Sequence, residues 1–399
     1  MAKEDELVFL PLGGVGEIGM NLALYGYGPK ANRQWIMVDC GVTFPGPDLP
    51  GVDLVLPDIR FLAKEREKLK GIIITHAHED HYGALNELWP GLNVPVYASP
   101  FTAGMLEAKR DYERSRVEIP VTIFKQGDRI NLGPFEIGAM GVTPSIPEPM
   151  SLAIKTPLGT VVHTGDWKID LEPSLGPLTD ESRFRKLGDE GVLALICDST
   201  NAVRDGISPS EREVSESLTR IIESAEGRVG ITTFSSNVGR IRSIAQAAEA
   251  AGREVLLLGS SMKRVTEVAR DIGLMEGLKP FIAEDEFGYI PRDKVVVILT
   301  GSQGEPRAAL AKIARDEMRN VAFTDGDTII FSSRAIPGNE KAINDIKNGL
   351  VEQGINIITD AEALVHVSGH PRRHELQQMY GWVRPKMVVP VHGEAVHLT

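Results

Sequence analysis

Cysteine is nearly missing: Cys40 and Cys197 are the two in 399 residues, each late in an apolar, strand-like run and neither in a Cys-x-x-Cys pair. That scarcity argues against a disulfide framework and a sulfur-ligated metal, and predicts two reduced thiols in the core. Long hydrophobic runs are missing too. The longest, such as Val295 to Leu299, fall far short of the roughly 20 residues of a membrane helix, and the opening Met1-Ala-Lys-Glu-Asp-Glu has no signal-peptide character. A soluble, cytoplasmic protein with no membrane partner is the expectation. Positive charge is in deficit, since 43 Lys and Arg against 55 Asp and Glu leave a formal net charge of −12. This balance argues against a broad basic face for duplex DNA. It leaves room for a narrow basic groove, or for divalent ions that bring positive charge to the point where a phosphate must sit. There is no internal repeat and no low-complexity linker, and with 42% hydrophobic residues the chain is long enough for two domains and a substantial core.

What the chain does concentrate is histidine. Thr75-His76-Ala77-His78-Glu79-Asp80-His81 crowds imidazoles and carboxylates that are costly to gather unless a cation compensates them, and these are the usual ligands of zinc, manganese or iron in catalytic sites. The alternative is a solvated His-rich turn. Upstream, Lys70 to Thr75 reads as a short buried strand, so the histidines start where a strand ends. From there His76 and His78 can turn toward one ion, while Asp80 and His81, at the start of the next helix, reach a second.

Other strand ends repeat the pattern. Asp39 closes Trp35 to Val38, where it would either orient a metal-bound histidine or cap the turn. Val161-Val-His163-Thr-Gly165-Asp166 and Leu193-Ala-Leu-Ile-Cys197-Asp198 also end in acids, and Val365-His366-Val-Ser368-Gly-His370 and Met387-Val-Val-Pro390-Val-His392 end in histidine. A sheet edge that gathers such residues is the expected place for an active site in a layered α/β protein. One decoy stands near the start. Gly14-Val-Gly16-Glu-Ile-Gly19 fits Gly-x-Gly-x-x-Gly after the strand-like Leu7 to Leu12. The following Asn21 to Tyr25 is too short for the required helix and runs into Gly26, Gly28 and Pro29, so antiparallel strands joined by a turn are expected instead.

From about Asp205 longer helices alternate with strands: helix 209–225, strand 229–234, helix 239–251, strand 254–258, helix 262–273, strand 294–300, helix 306–317, strand 328–332, helix 338–353 and strand 355–358. Such alternation implies a parallel sheet faced by helices. The predicted organisation is a first domain over 1–205, a second over 206–364, and a segment, 365–399, that returns to the first.

With these residues in place, the chain resembles the metallo-β-lactamase fold of hydrolases through His-x-His-x-Asp-His at His76 to His81. It resembles the β-CASP group through its inserted α/β domain, Asp198, Ser-Gly-His at 368–370 and Pro-Val-His-Gly-Glu at 390–394. Gly-Gly-Val-Gly-Glu-Ile-Gly-Met-Asn, Phe-Ser-Ser-Asn-Val-Gly-Arg and Ile-Pro-Gly-Asn-Glu are together similar to bacterial ribonuclease J. The resemblance implies an αββα sandwich with an inserted, mostly parallel β-CASP domain. It further implies two divalent ions, zinc or manganese: His76 and His78 on one, Asp80, His81 and His392 on the other, and Asp166 bridging, with Asp39 and Asp198 behind the ligands. Two ions about 3.5 to 4 Å apart can activate water and neutralise charge on a phosphodiester under in-line attack. Asp80, Asp166, Asp198 and His370 would carry catalysis, His370 as proton donor to the leaving oxygen, and His366, Ser368 and His370 would hold a neighbouring phosphate. For Ser235, Ser236, Asn237 and Arg240, opposite Ser333 and Arg334, it suggests a pocket for a 5′-monophosphate, at a strand, turn and helix start that suit an anion. The bland reading there is a helix cap with a solvated Arg. His163, His374 and His397 are read as structural or surface residues. The implied substrate is single-stranded RNA, cut by 5′ to 3′ exonuclease and endonuclease action. The implied partners are further copies of the full-length chain and components of RNA-degradation complexes.

Two features depart from the family pattern. Pro144, in Gly141-Val-Thr143-Pro144-Ser145-Ile-Pro-Glu148-Pro149, stands where the family has a histidine ligand of the first ion, and proline offers no lone pair; Ser145 and Glu148 are the nearby replacements. The sequence also stops at Thr399, soon after His392, where the family continues through the rest of the catalytic fold and a carboxyl-terminal domain. Besides a ribonuclease impaired by Pro144, the alternatives are a non-catalytic subunit that binds RNA or a partner enzyme, and a small-molecule hydrolase, which would leave the inserted domain without a purpose.

Overall fold

A computed structural model describes residues 4–46 and 49–399; Met1 to Lys3, part of the opening read above, lie outside it. Strands β1 (Glu6–Gly13), β2 (Leu22–Gly28), β3 (Gln34–Val38), β4 (Leu69–Ile73), β5 (Val96–Ala98) and β6 (Val121–Ile123) form one sheet in chain order. β1, β2 and β3 pair antiparallel, as expected where the glycine motif was a decoy, and the remaining neighbours pair parallel. A second sheet begins with β7 (Arg129–Leu132), β8 (Phe135–Gly141), β9 (Met150–Thr156), β10 (Gly159–His163) and β11 (Val192–Asp198). The strands β12 (Val229–Thr232), β13 (Glu254–Leu258), β14 (Val295–Leu299), β15 (Thr328–Phe331) and β16 (Asn356–Ile358) make a separate parallel sheet in the order β13-β14-β12-β15-β16. Last, β17 (Met387–Val391) returns to the second sheet, parallel to β11.

The chain divides into two compact units. One runs to Asp170 and adds Gly176–Ser208 and Gly369–Thr399; the other comprises Leu171–Leu175 and Pro209–Ser368. In the first unit the two sheets face each other across Ile36, Val38, Ile73, Ile137, Leu152, Ile154 and Ile196, all of them buried. The outer face of the second sheet is covered by helices Glu181–Glu190 and Arg373–Val383, which press Phe184, Leu376, Met379 and Trp382 onto Trp167, Leu195 and Cys197. Helices between β4 and β6 bury Leu85, Leu92, Phe101 and Met105. This is the αββα sandwich, driven by apolar faces that have no other way to leave water.

The returning segment starts at Gly369 rather than 365, because the Val365 carbonyl accepts bonds from Arg240 and Ser332 of the second unit. Conversely 206–208 stay with the first unit, where Ser208 donates its N–H and hydroxyl to buried Glu375. Between β3 and β4 the chain forms a short helix, Arg60–Lys64, followed by a 3-10 turn at Arg66–Lys68. Among the described residues no helix is long and apolar enough to cross a membrane.

Candidate metal centre

Asp39, His76, Asp166, Asp198 and His392 sit where a strand ends, whereas the stretch before His370, expected to be a strand, runs on after β16 without forming one. β4 is wholly apolar but for Lys70, so it lies inside the sandwich and delivers Thr75 and His76 to the sheet edge fully buried. The short helix Glu79–Tyr82 then turns Asp80 and His81 back over that edge. Asp39 and His392 leave their strands with φ of 63° and 57°, a left-handed backbone that costs a non-glycine residue energy and is kept where the surroundings hold it. Gly41 allows the Asp39 loop to reach the helix, since a Cβ there would lie 1.7 Å from the Asp80 carbonyl oxygen. A larger residue at 41 would push the two apart.

The ligand candidates converge. His76 Nε2 and His78 Nδ1 lie 3.4 and 3.6 Å from Asp166 Oδ2. His81 Nε2 and His392 Nε2 lie 3.1 and 3.9 Å from the other oxygen, Oδ1. Asp80 Oδ2 is 3.0 Å from His392 Nε2 and 3.7 Å from His81 Nε2. Within each of the groups His76–His78–Asp166 and Asp80–His81–His392, the ligand atoms all lie within 4.8 Å of one another, and Asp166–His370–His392 makes a third group over the same centre. Asp166 therefore turns one oxygen to each pair of histidines.

Whether a cation fits is decided by Asp166 Oδ1. It is buried and accepts no hydrogen bond, which is costly for a carboxylate unless a positive charge faces it. Burial opposes charge on Asp80 and Asp166, yet the surrounding imidazoles hold both carboxyls well below the usual range. Burial also opposes charge on His81, His370 and His392, but nearby carboxylates outweigh it and raise all three, His370 to about 9. His76, by burial and then by the charge on His81, is lowered to about 4. The cluster thus attracts positive charge, and divalent cations would take over the role of those protons. The residues fit divalent cations.

Pro144 is buried and its Cγ would lie 2.9 Å from a Cβ on Gly176. Its neighbours do not replace the missing donor. Glu148 Oε2 accepts the Phe101 N–H at 2.7 Å, at the start of helix Pro100–Glu113, and Ser145 packs against Gly369. Neither belongs to a metal-holding group among the described residues.

In the second unit, Ser235 and Ser236 are half-buried in the turn after β12, and Ser333 and Arg334 follow the adjacent strand β15. Arg240 corrects the expectation of a phosphate-facing side chain. It has no exposed surface. Its Nε and Nη2 donate to Glu211 Oε2 at 3.1 and 2.7 Å, and Nη1 donates to Ser332 Oγ and the Val365 carbonyl. The polar segment around it is explained by an internal ion pair. Asn237 Oδ1 accepts the Arg240 N–H and caps helix Val238–Ala250, which is the bland reading of that residue. His366 Nδ1 is buried without a partner, and burial together with the Arg240 charge lowers the imidazole to about 3.

Sequence reasoning missed Asn21, whose Nδ2 donates to the Asp80 carbonyl at 3.1 Å and to Asp80 Oδ2 at 3.3 Å. It also missed Thr75 and Thr200, each within 3 Å of a candidate ligand imidazole. The one signal for them was position, next to His76 and just after Asp198. His163 Nδ1 is 2.8 Å from the hydroxyl of buried Tyr25.

Comparison with known proteins adds to this geometry. Residues 30–220 match the family model of the metallo-beta-lactamase superfamily, 226–350 that of the ribonuclease J beta-CASP domain, and 354–399 that of the Zn-dependent metallo-hydrolase RNA specificity domain. Ribonuclease J of Sinorhizobium meliloti is 84% identical over 399 residues, 100% of this chain and 71% of that protein. The ribonuclease J proteins of Mycolicibacterium smegmatis and Thermus thermophilus are 43% and 37% identical, over 97% and 99% of this chain and 69% of each relative. The crystal structure of a protein of unknown function from Enterococcus faecalis V583 matches with a TM-score of 0.67 at 16% identity, over 97% of this chain and 94% of that one, a likeness of fold alone.

Proposed function

The chain belongs to the ribonuclease J family, and we propose that it is a metal-dependent ribonuclease that hydrolyses single-stranded RNA from a 5′-monophosphorylated end and can also cut internally. The observation that carries this reading is the buried, bond-free Asp166 Oδ1, facing His81 and His392 while Oδ2 of the same carboxylate faces His76 and His78. His76, His78 and Asp166 would hold one zinc or manganese ion, and Asp80, His81, His392 and Asp166 the other. Bound there, the pair supplies an activated water and positive charge for the phosphodiester under attack. His370, gripped at Nδ1 by Asp198 Oδ2 at 2.7 Å, would give its Nε2 proton to the leaving oxygen. In the second unit, Ser235, Ser236, Ser333 and Arg334 would receive the 5′-phosphate, while His366 and Ser368 would hold a neighbouring phosphate. Arg240 supports that loop from inside.

The test is digestion of matched single-stranded RNAs with 5′-monophosphate or 5′-hydroxyl ends, with manganese or zinc, by the chain and by Pro144→His. Mononucleotide release from the monophosphorylated RNA that depends on metal and rises in Pro144→His is the expected result. A Pro144→His protein that binds two ions and leaves RNA intact overturns the reading. Pro144 itself favours a second reading, a non-catalytic subunit that binds RNA. Two tightly held ions per chain in the protein as it stands, by elemental analysis, would count against it.

A further inference from the structure

The two aspartates behind the ligands each act with a threonine, and the two sets are alike. At the end of β3, Asp39 Oδ1 accepts the Thr75 N–H at 2.7 Å, and Oδ2 accepts the Thr75 hydroxyl at 2.9 Å and the His81 Nδ1 proton at 2.7 Å. Thr75 Oγ1 is also 2.9 Å from His76 Nδ1. At the end of β11, Asp198 Oδ1 accepts the Thr200 N–H at 2.9 Å and its hydroxyl at 2.7 Å, while Oδ2 accepts the His370 Nδ1 proton at 2.7 Å. Thr200 Oγ1 is 2.6 Å from His392 Nδ1. One aspartate, one threonine and two histidines thus recur, once on each sheet of the sandwich.

A hydroxyl has one proton, and an ionised carboxylate can only accept. The threonine proton therefore goes to the aspartate, and the lone pairs of Oγ1 are what the imidazole meets. For Thr200 the competing acceptor is the His392 carbonyl at 2.9 Å, and a proton given there is also turned away from the ring. His76 and His392 must then carry hydrogen on Nδ1, which leaves the Nε2 lone pair for a cation. Nε2 is the nitrogen that faces the carboxylates, 3.4 Å from Asp166 in His76 and 3.0 Å from Asp80 in His392. His78 supplies a contrast. It has no such threonine and turns Nδ1, not Nε2, toward Asp166.

We propose that Thr75 and Thr200 are positioning residues that set the ring tautomers of His76 and His392, one for each ion, through hydroxyls anchored on Asp39 and Asp198. The inference rests on the reading of this cluster as a metal centre and is independent of RNA cleavage. It is tested with Thr200→Val and Thr75→Val, which keep the branched shape, and with Thr200→Ser and Thr75→Ser, which keep the hydroxyl. Zinc affinity is measured by chelator competition, and the ring tautomers by two-bond nitrogen-15 NMR on histidine-labelled, zinc-loaded protein. Thr200→Val is expected to weaken one zinc ion roughly 10 to 100-fold, the usual effect of losing a partner behind a ligand, and to shift the His392 signals alone. Thr75→Val is expected to do the same to the other ion and to His76, and both Ser variants are expected to restore affinity and tautomer. Val variants that match the starting protein in affinity and tautomer overturn the inference. So do Ser variants as impaired as Val with unchanged melting. A starting protein that binds no zinc overturns the metal-centre reading, and this inference with it.

Discussion

Arg240 lays two of its nitrogens against a single oxygen of Glu211, at 3.1 and 2.7 Å, with both side chains buried. Removing one partner leaves the other charged and out of water, which costs about 3 to 5 kcal/mol. Glu211→Ala should therefore destabilise the second unit by that amount, measured by urea denaturation, and leave zinc affinity unchanged. Arg334→Ala should keep the melting temperature and reduce the preference for 5′-monophosphorylated RNA. If Arg240→Ala melted like the starting protein and lost only that preference, Arg240 would be a phosphate ligand after all.

Asp39 accepts three protons, from Thr75 N, Thr75 Oγ1 and His81 Nδ1. Asp39→Asn keeps the shape but turns a donor toward groups that already donate. Zinc affinity should fall roughly 10 to 100-fold with little change in secondary structure by circular dichroism. An unchanged affinity would mean that the turn at Asp39 matters only for backbone geometry.

His163 is buried beside Tyr25, and burial lowers its pKa to about 4 from an ordinary value of 6.5. The unfolded chain takes up this proton near pH 6.5 and the folded chain only near 4, so stability present above pH 6.5 is lost as pH falls through that window. The loss is about 3 kcal/mol at most. His163→Gln should be less stable at neutral pH yet lose less on acidification, in denaturation curves taken between pH 7 and pH 4.

Cations that bind the folded centre and not the unfolded chain add stability by mass action, about 2.7 kcal/mol at a hundredfold excess over the dissociation constant. Adding zinc to chelator-treated protein should raise its melting temperature. Under the proposed reading, in which a histidine at 144 would add a donor to the group His76–His78–Asp166, Pro144→His should enlarge the rise. An equal rise in both proteins would show that position 144 does not reach the ion.

Most of the order of strands and helices and the broad two-unit division were legible in the sequence, because each has a local cause. Apolar runs of strand length ended in Asp or His, and helical periods alternated with strands from about residue 209. Short apolar runs and the family resemblance were enough to place His76, Asp166 and His392 in one site. Tertiary structure alone decided what the polar residues behind them do. Arg240 looked like a surface cation in a loop, and became an internal one because Glu211, distant in sequence, meets it in the core. Thr75 and Thr200 carry no signal of their own, since a threonine hydroxyl acquires a direction only when a buried carboxylate takes its proton and an imidazole takes its lone pair. Composition and spacing are properties of one dimension, whereas the direction of a hydrogen bond depends on which partners folding brings within about 3 Å.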